Sequence, residues 1–136
     1  MNQSVESASK TAMKSDRVFK VWEYQISHGQ LLIRSPKAPA KGDHSQQITN
    51  LDLVFLGVEF MAVPHEFRGV DITLPAAREV EELESLLNKS IEPKSIRIID
   101  SQEKRFPIVA SSFSFSENDW DIFESPFEFR SRFRGS

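Results

Sequence analysis

Apolar and polar residues alternate through residues 22–26, where Trp, Tyr and Ile are separated by Glu and Gln. Side chains of a β-strand point alternately to opposite faces, so this pattern predicts a strand with one buried face. A second apolar run, at residues 31–34, follows Gly29, a residue that tolerates the positive φ of a tight turn. The sequence therefore predicts a hairpin closed by a two-residue loop ending at Gly29, with Glu23 opposite Arg34.

The most hydrophobic stretch of the chain is residues 51–63. A continuous apolar run is typical of a strand that is covered on both faces. This run is long for a strand and contains Gly57, so we expect a bulge or a bend there. Residues 70–74 alternate between apolar and polar side chains, which predicts the next strand.

The spacing of apolar residues then changes from the period of a strand to that of a helix. Pro75 suits the first turn of a helix, and Pro93 cannot continue one. We therefore predict an amphipathic helix over residues 75–89, with Leu86 widening its apolar face and glutamates facing outward. The apolar residues that recur at helical spacing are Ala76, Val80, Leu83 and Leu87.

A second hairpin follows the predicted helix. Residues 96–99 and 106–115 are rich in Ile and Phe and flank a polar turn. The apolar positions change parity within the second of these segments, which indicates a bulge near residues 111–112.

Together these elements predict an α+β fold. We expect a largely antiparallel, twisted sheet of about six strands, formed by two hairpins and a bent central strand, and covered by one amphipathic helix. Residues 1–16 are serine-rich and poor in large apolar side chains, which predicts a flexible N-terminal tail. Residues 17–126 are expected to form a single α+β domain, and residues 127–136 an aromatic and basic C-terminal strand or tail.

Composition narrows the functional classes. The chain has 136 residues and a net charge of -3, which argues against a nucleic-acid-binding protein because such proteins carry a basic surface. No apolar stretch approaches the length of about 20 residues that a membrane span needs, and residues 1–16 lack a signal sequence, so we expect a cytoplasmic protein with no membrane partner. The chain has no cysteine, which excludes disulfides and thiolate chemistry, and its 11 phenylalanines predict a core filled by aromatic rings.

Metal and cofactor sites are not expected. The three histidines, His28, His44 and His65, lack the spacing that directs two imidazoles at one zinc ion. An acidic stretch resembles a calcium loop in its spacing of oxygen donors, but Ile122 stands where the sharp turn requires glycine. No glycine-rich phosphate-binding motif is present, so no nucleotide cofactor is predicted. The donors of that calcium-like stretch are Glu117, Asp119, Asp121, Ser125 and Glu128.

An alternative hypothesis is a small-ligand binder or an enzyme that uses the mouth of a curved sheet. Glu59 interrupts the apolar run, and a carboxylate buried there would have a perturbed pKa of the kind found at functional sites. Ser27 precedes His28, but adjacent residues do not form a nucleophile–base pair by themselves. The residues assigned to this alternative pocket are Glu59, His28, Tyr24 and Arg34.

The leading hypothesis is a non-enzymatic protein-binding module, of the inhibitor or immunity type. Aromatic residues near the C-terminus are interleaved with carboxylates, and such a surface suits a basic protein partner. A further alternative is a homo-oligomeric structural protein that assembles through the segment containing Phe129 and Phe133. The residues assigned to binding are Trp120, Phe123, Phe127, Phe129, Phe133, Asp119, Asp121 and Glu124.

Overall fold

The computed structural model describes residues 11–37, 48–121, 124, 125 and 127. Eight strands and one helix form in these residues. The elements are β1 (Thr11–Gln25), β2 (Gln30–Ser35), β3 (Asn50–Leu56), β4 (Phe60–Met61), β5 (Glu66–Thr73), α1 (Ala77–Leu87), β6 (Ile96–Ser101), β7 (Lys104–Val109) and β8 (Ser112–Asn118).

The strands form one antiparallel sheet in the order β4-β7-β6-β5-β1-β2-β3-β8. Each outer strand of this order follows, along the chain, the strand next to the opposite edge: β3 leads into β4, and β7 leads into β8. β3 pairs with β8, and β4 pairs with β7. The sheet therefore closes on itself through these two bent segments.

Both bent segments turn at the same corner. Gly57 has a φ of 65° there, and Ser111 N–H donates to the carbonyl of Leu56 at 2.8 Å. The expected bend at Gly57 and the interruption near residue 111 are thus confirmed. The prediction of about six strands is wrong in number, because each bend divides one predicted strand into two.

The first hairpin forms, but its predicted register is wrong. Its turn spans Ile26–His28 and Gly29, which adopts a φ of 60°, and Gln25 pairs with Gln30. An irregularity between Val21 and Glu23 shifts the strands further, so that Lys20 lies opposite Arg34. The longer turn and the bulge together separate Glu23 from its predicted partner, and Arg34 binds a residue of β3 instead.

Strand β1 begins earlier than the sequence pattern indicates. Residues 11–16, assigned above to a flexible tail, pair with β5 from Thr11 opposite Thr73 to Ser15 opposite Val70. The single large apolar side chain in this part, Met13, is buried. Pairing with a neighbouring strand stabilises this polar segment, a factor that local composition does not reveal. Residues 1–10 of the predicted tail lie outside the described residues.

The interior of the closed sheet is filled. Phe19 stacks on Phe67 with ring centroids 5.8 Å apart, and Phe55 packs on Phe113 at 4.9 Å. The prediction of a core filled by aromatic rings holds only in part, because three of the twelve buried residues of this cluster are phenylalanines and most of the others are aliphatic. The buried residues of this cluster are Met13, Phe19, Leu31, Ile33, Leu53, Phe55, Phe67, Val70, Ile72, Ile99, Ile108 and Ala110.

Helix α1 covers the outer face of β6 and β7. Leu83 is buried in a second cluster with Ile96, Ile98 and Val109, so strands β6 and β7 are apolar on both faces. The helix predicted over residues 75–89 is confirmed, with Asn88 in the left-handed conformation at its end. Leu86 does not join the packed face, since it is 65% exposed. No helix in the part of the chain described here is long and apolar enough to cross a membrane.

Candidate functional site

Strand β8 has one edge that pairs with no strand of the described residues. Its seven residues pair with β3 without a register shift, from Asn50 opposite Asn118 to Leu56 opposite Ser112. Among the described residues, no strand pairs with its other edge. Natural proteins protect such edges with proline, lysine or bulges, and residues 112–118, with the sequence SFSFSEN, contain none of these. We call this unpaired side the β8 edge.

An exposed aromatic side chain lies in the middle of β8. Phe115 is 51% exposed, although it packs on Phe113 with ring centroids 6.2 Å apart. Phe113 in turn packs on Phe55 of the core. The exposed ring is therefore supported by a continuous row of aromatic side chains, and a partner would meet a surface that is already ordered.

The segment after β8 is held against the sheet by a pair of asparagines. The Asn50 side-chain amide donates to Asn118 Oδ1 and to the carbonyl of Trp120, each at 2.9 Å. The Trp120 N–H donates to Asn118 Oδ1 at 3.2 Å. Lys37 Nζ donates to the carbonyl of Asp119 at 2.6 Å. These bonds fix the direction in which the chain leaves β8 and keep Trp120, which is 37% exposed, beside it.

A fully buried ion pair lies beside the same end of β8, in the neighbouring strands β2 and β3. The Arg34 guanidinium donates to both carboxylate oxygens of Asp52, from Nε at 2.7 Å and from Nη2 at 2.9 Å. Both side chains are 0% exposed, and the guanidinium carbon lies 5.6 Å from the centroid of the Trp22 ring. The Asn118 amide donates to Asp52 Oδ2 at 3.0 Å. These donors engage both oxygens of the carboxylate, so the pair ties β2, β3 and β8 together, and both of its side chains are closed off from solvent.

A second arginine positions an acid at the end of β8. Arg17 Nη2 donates to the carbonyl of Thr49 at 2.6 Å, and the Thr49 hydroxyl donates to Glu117 at 2.6 Å. Burial lowers the pKa of Arg17 from its ordinary value, while the charges of Glu117 and Asp52 oppose that shift. Glu117 is exposed at the strand end.

The two ends of β8 carry opposite charges. Glu117, Asp119 and Asp121 are exposed at its C-terminal end, and residues 112–121 contain no Lys or Arg. At its N-terminal end, Lys94 and Arg97 line a small cavity of about 10 Å³ together with Ser112. The Ala110 N–H, between β7 and β8, donates to the carbonyl of Ser95, which directly precedes β6. Strand β6 pairs with the side of β7 that continues into the unpaired side of β8, so Lys94 and Arg97 flank this unpaired side.

The residues assigned to binding from the sequence are only partly described. Trp120, Asp119 and Asp121 are exposed beside the β8 edge, and Glu124 is half-buried and accepts a hydrogen bond from the Asp121 N–H at 2.9 Å. Phe127 is 5% exposed, so its ring is not on the surface. The other assigned aromatic residues, Phe123, Phe129 and Phe133, lie outside the described residues, as do His44, Ile122 and Glu128.

The four residues of the alternative pocket have separate surroundings. Glu59 is half exposed and lies 3.0 Å from Lys89 Nζ, in a polar cleft of about 180 Å³ that is lined by neither His28, Tyr24 nor Arg34. Arg34 is bound to Asp52, and His28 Nδ1 lies 3.0 Å from Ser27 Oγ on the exposed turn. Tyr24 is 38% exposed on β1.

A second groove is apolar and lies between α1 and β4. Its volume is about 250 Å³, and Phe60, Leu83 and Leu86 line it. Small-molecule pockets typically reach about 300–1,000 Å³, so both this groove and the polar cleft are below that range. No group of three or more His, Asp or Glu side chains is placed to hold a metal ion in the part of the chain that the structure describes.

Comparison with known proteins gives no further guidance. No protein family, no curated protein and no solved structure matches the chain. The central position of Phe115 and the cations Lys94 and Arg97 are not among the residues predicted from the sequence. The signal for the former was the alternation of Ser and Phe in residues 112–116 without any edge-protecting residue.

Proposed function

We propose that this protein is a non-enzymatic protein-binding module that takes up an extended segment of a partner at the β8 edge. The observation that carries the proposal is a seven-residue strand edge, unpaired among the described residues, with a supported aromatic ring at its centre. Extended segments add to such edges through backbone hydrogen bonds, and side chains at alternate positions give specificity.

The charges on either side of the β8 edge favour one kind of partner. An antiparallel partner strand places its N-terminal half beside Glu117, Asp119 and Asp121, and its C-terminal half beside Lys94 and Arg97. Complementary charges fix the direction of binding more than they add affinity. The partner segment should therefore begin with Lys or Arg, continue with alternating apolar residues and end with Asp or Glu.

The interior of the fold supports this proposal over an enzyme or a small-ligand binder. The space inside the closed sheet is occupied by a contiguous apolar cluster. The ionisable groups with a shifted pKa, Arg17, Glu79 and Arg105, are all held in hydrogen bonds or ion pairs that serve the fold. Glu59, the strongest catalytic candidate in the sequence, is instead an exposed partner of Lys89.

A peptide-display selection tests the proposal. The full chain, immobilised at low density, is used to select from a random library, and the selected peptides are then assayed against Phe115→Lys and Ile26→Lys variants. The first substitution places a charge at the centre of β8, and the second is a matched change at a side chain that is 80% exposed on the turn between β1 and β2. We expect alternating apolar peptides that lose at least about tenfold in affinity for the Phe115 variant only. Equal binding to both variants, or no enrichment, would refute the proposal.

A further inference from the structure

We infer that the occupant of the β8 edge is β8 of a second copy of this chain. This inference rests on the proposed function and names its partner. A strand whose two ends carry opposite charges is complementary to itself when two copies run antiparallel. A two-fold axis then brings the cations Lys94 and Arg97 of one copy to the carboxylates Asp119 and Asp121 of the other.

The side chains of β8 also match in this arrangement. With the axis at Phe115, the two Phe115 rings lie opposite each other, and Ser114 lies opposite Ser116 of the second copy. Glu117, the one charged residue within the strand, lies opposite Phe113 and not opposite another carboxylate. Aromatic pairs and serine pairs across strands are favourable, and the register avoids like charges.

The exposed part of the Phe115 ring gives this pairing its apolar centre. Phe115 is 51% exposed in the single chain, and Trp120, which is 37% exposed, lies at the end of the same strand. Pairing along one strand buries less surface than the roughly 1,600 Å² of a standard interface. The dimer should therefore form reversibly as the protein concentration rises, and it should weaken with added salt because charges at both ends contribute.

Sedimentation equilibrium with paired charge reversals tests the inference. We expect the unmodified chain to move from 15.6 kDa towards twice that mass with increasing concentration. Reversing the basic end with Lys94→Glu and Arg97→Glu, or the acidic end with Asp119→Lys and Asp121→Lys, should weaken self-association by about tenfold or more. Lys104→Glu is the charge control, since Lys104 is exposed at the far end of β7.

Mixing the two reversed variants is the decisive arm, because their charges are complementary to each other. We expect a heterodimer to form in the mixture where neither variant dimerises alone. Since a reversed variant could fail to fold, circular dichroism of each is recorded, and the concentration series of the unmodified chain stands independently. A single-chain mass at every concentration, or dimers insensitive to all reversals, would overturn the inference. Selected peptides that still bind the β8 edge would then leave the proposed function standing.

Discussion

The Arg34–Asp52 pair connects three neighbouring strands, β2, β3 and β8, through one carboxylate. Both side chains are inaccessible to solvent, and Asp52 also accepts from Asn118 at the end of β8. Removing one member of a buried pair leaves the other charge without a partner, which is far more costly than removing both. The pair therefore fixes the end of β8 at which the acidic residues are presented.

This pair gives a prediction with its own internal control. Asp52→Ala should lower the free energy of unfolding by about 3–5 kcal/mol. The double variant Arg34→Met with Asp52→Leu should recover most of that loss, because no charge then remains buried. Urea denaturation measures both values. If the double variant were as unstable as Asp52→Ala, the stability of this region would depend on packing and not on the pairing of charges.

Two glycines with similar backbone angles give a second prediction at the residue scale. Gly29 and Gly69 have φ of 60° and 78°. A Cβ at Gly29 would lie 2.9 Å from the Val58 backbone nitrogen, whereas a Cβ at Gly69 would approach nothing closer than 4.0 Å. Gly69→Ala should cost only the left-handed backbone penalty of about 1–2 kcal/mol, and Gly29→Ala should cost clearly more. Thermal unfolding of the two variants makes the comparison, and equal melting temperatures would contradict the close approach of the first turn to Val58.

At the scale of elements, one carboxylate adds a polar link between α1 and β7 to the apolar packing around Leu83. Arg105 donates to Glu79 at 2.6 and 2.7 Å, and the Ala76 N–H donates to the same carboxylate at 2.9 Å. The hydrogen bond from Arg105 is the main cause that lowers the pKa of Glu79, and the Ala76 bond adds to it against the effect of burial. The ionised form of Glu79 is thus stabilised by folding.

The lowered pKa of Glu79 predicts a specific dependence on pH. A carboxylate with a lower pKa in the folded state contributes stability above its ordinary pKa of 4.5, and loses that contribution as pH falls through the folded value. Glu79→Gln should therefore destabilise the protein by about 1 kcal/mol at pH 7. The difference from the unmodified chain should shrink as the pH falls below 4.5. Chemical denaturation at several pH values measures it, and a difference that persisted at the lowest pH would mean that the charge of Glu79 is not responsible.

The elements that depend on local pattern could be predicted from the sequence, and those that depend on distant partners could not. Helix α1 follows from its apolar spacing, and the bend at Gly57 follows from a glycine within an apolar run. The predicted register of the first hairpin is wrong because the alternation of apolar and polar residues shows neither the bulge near Val21 nor the longer turn. The predicted partner of Arg34 is Glu23 in the same hairpin, whereas its partner in the structure is Asp52 of β3.

The candidate site was predicted less well than the fold for the same reason. Trp120 and its flanking acids were identified from composition, and the structure places them beside the β8 edge. The edge itself depends on the order of strands in the sheet, which brings the segment after β7 to β3 and leaves its other side unpaired. Strand order arises from contacts between distant segments, so the alternation of Ser and Phe in residues 112–116 indicates a strand but not that this strand lies at an edge of the sheet.

At the scale of the whole molecule, the closed sheet surrounds an apolar core. The bent segments β3–β4 and β7–β8 complete the ring, and the enclosed space is filled by apolar side chains. The pairing of β6 with β7 ends at Ile96 opposite Val109, and the chain then bends into β8. Strand β8 therefore has no partner on the side of β6 among the described residues. The function that we propose for this edge therefore depends on the architecture of the sheet.

Amide hydrogen exchange along Ser112–Asn118, measured by NMR with and without a saturating amount of a selected peptide, tests strand addition most directly. In an antiparallel ladder, alternate amides of β8 point towards β3 and the others point towards the β8 edge. The account predicts that alternate amides become strongly protected when the peptide binds, while those already bonded to β3 change little. Unchanged exchange along β8, together with peptide-induced protection elsewhere on the molecule, would contradict it.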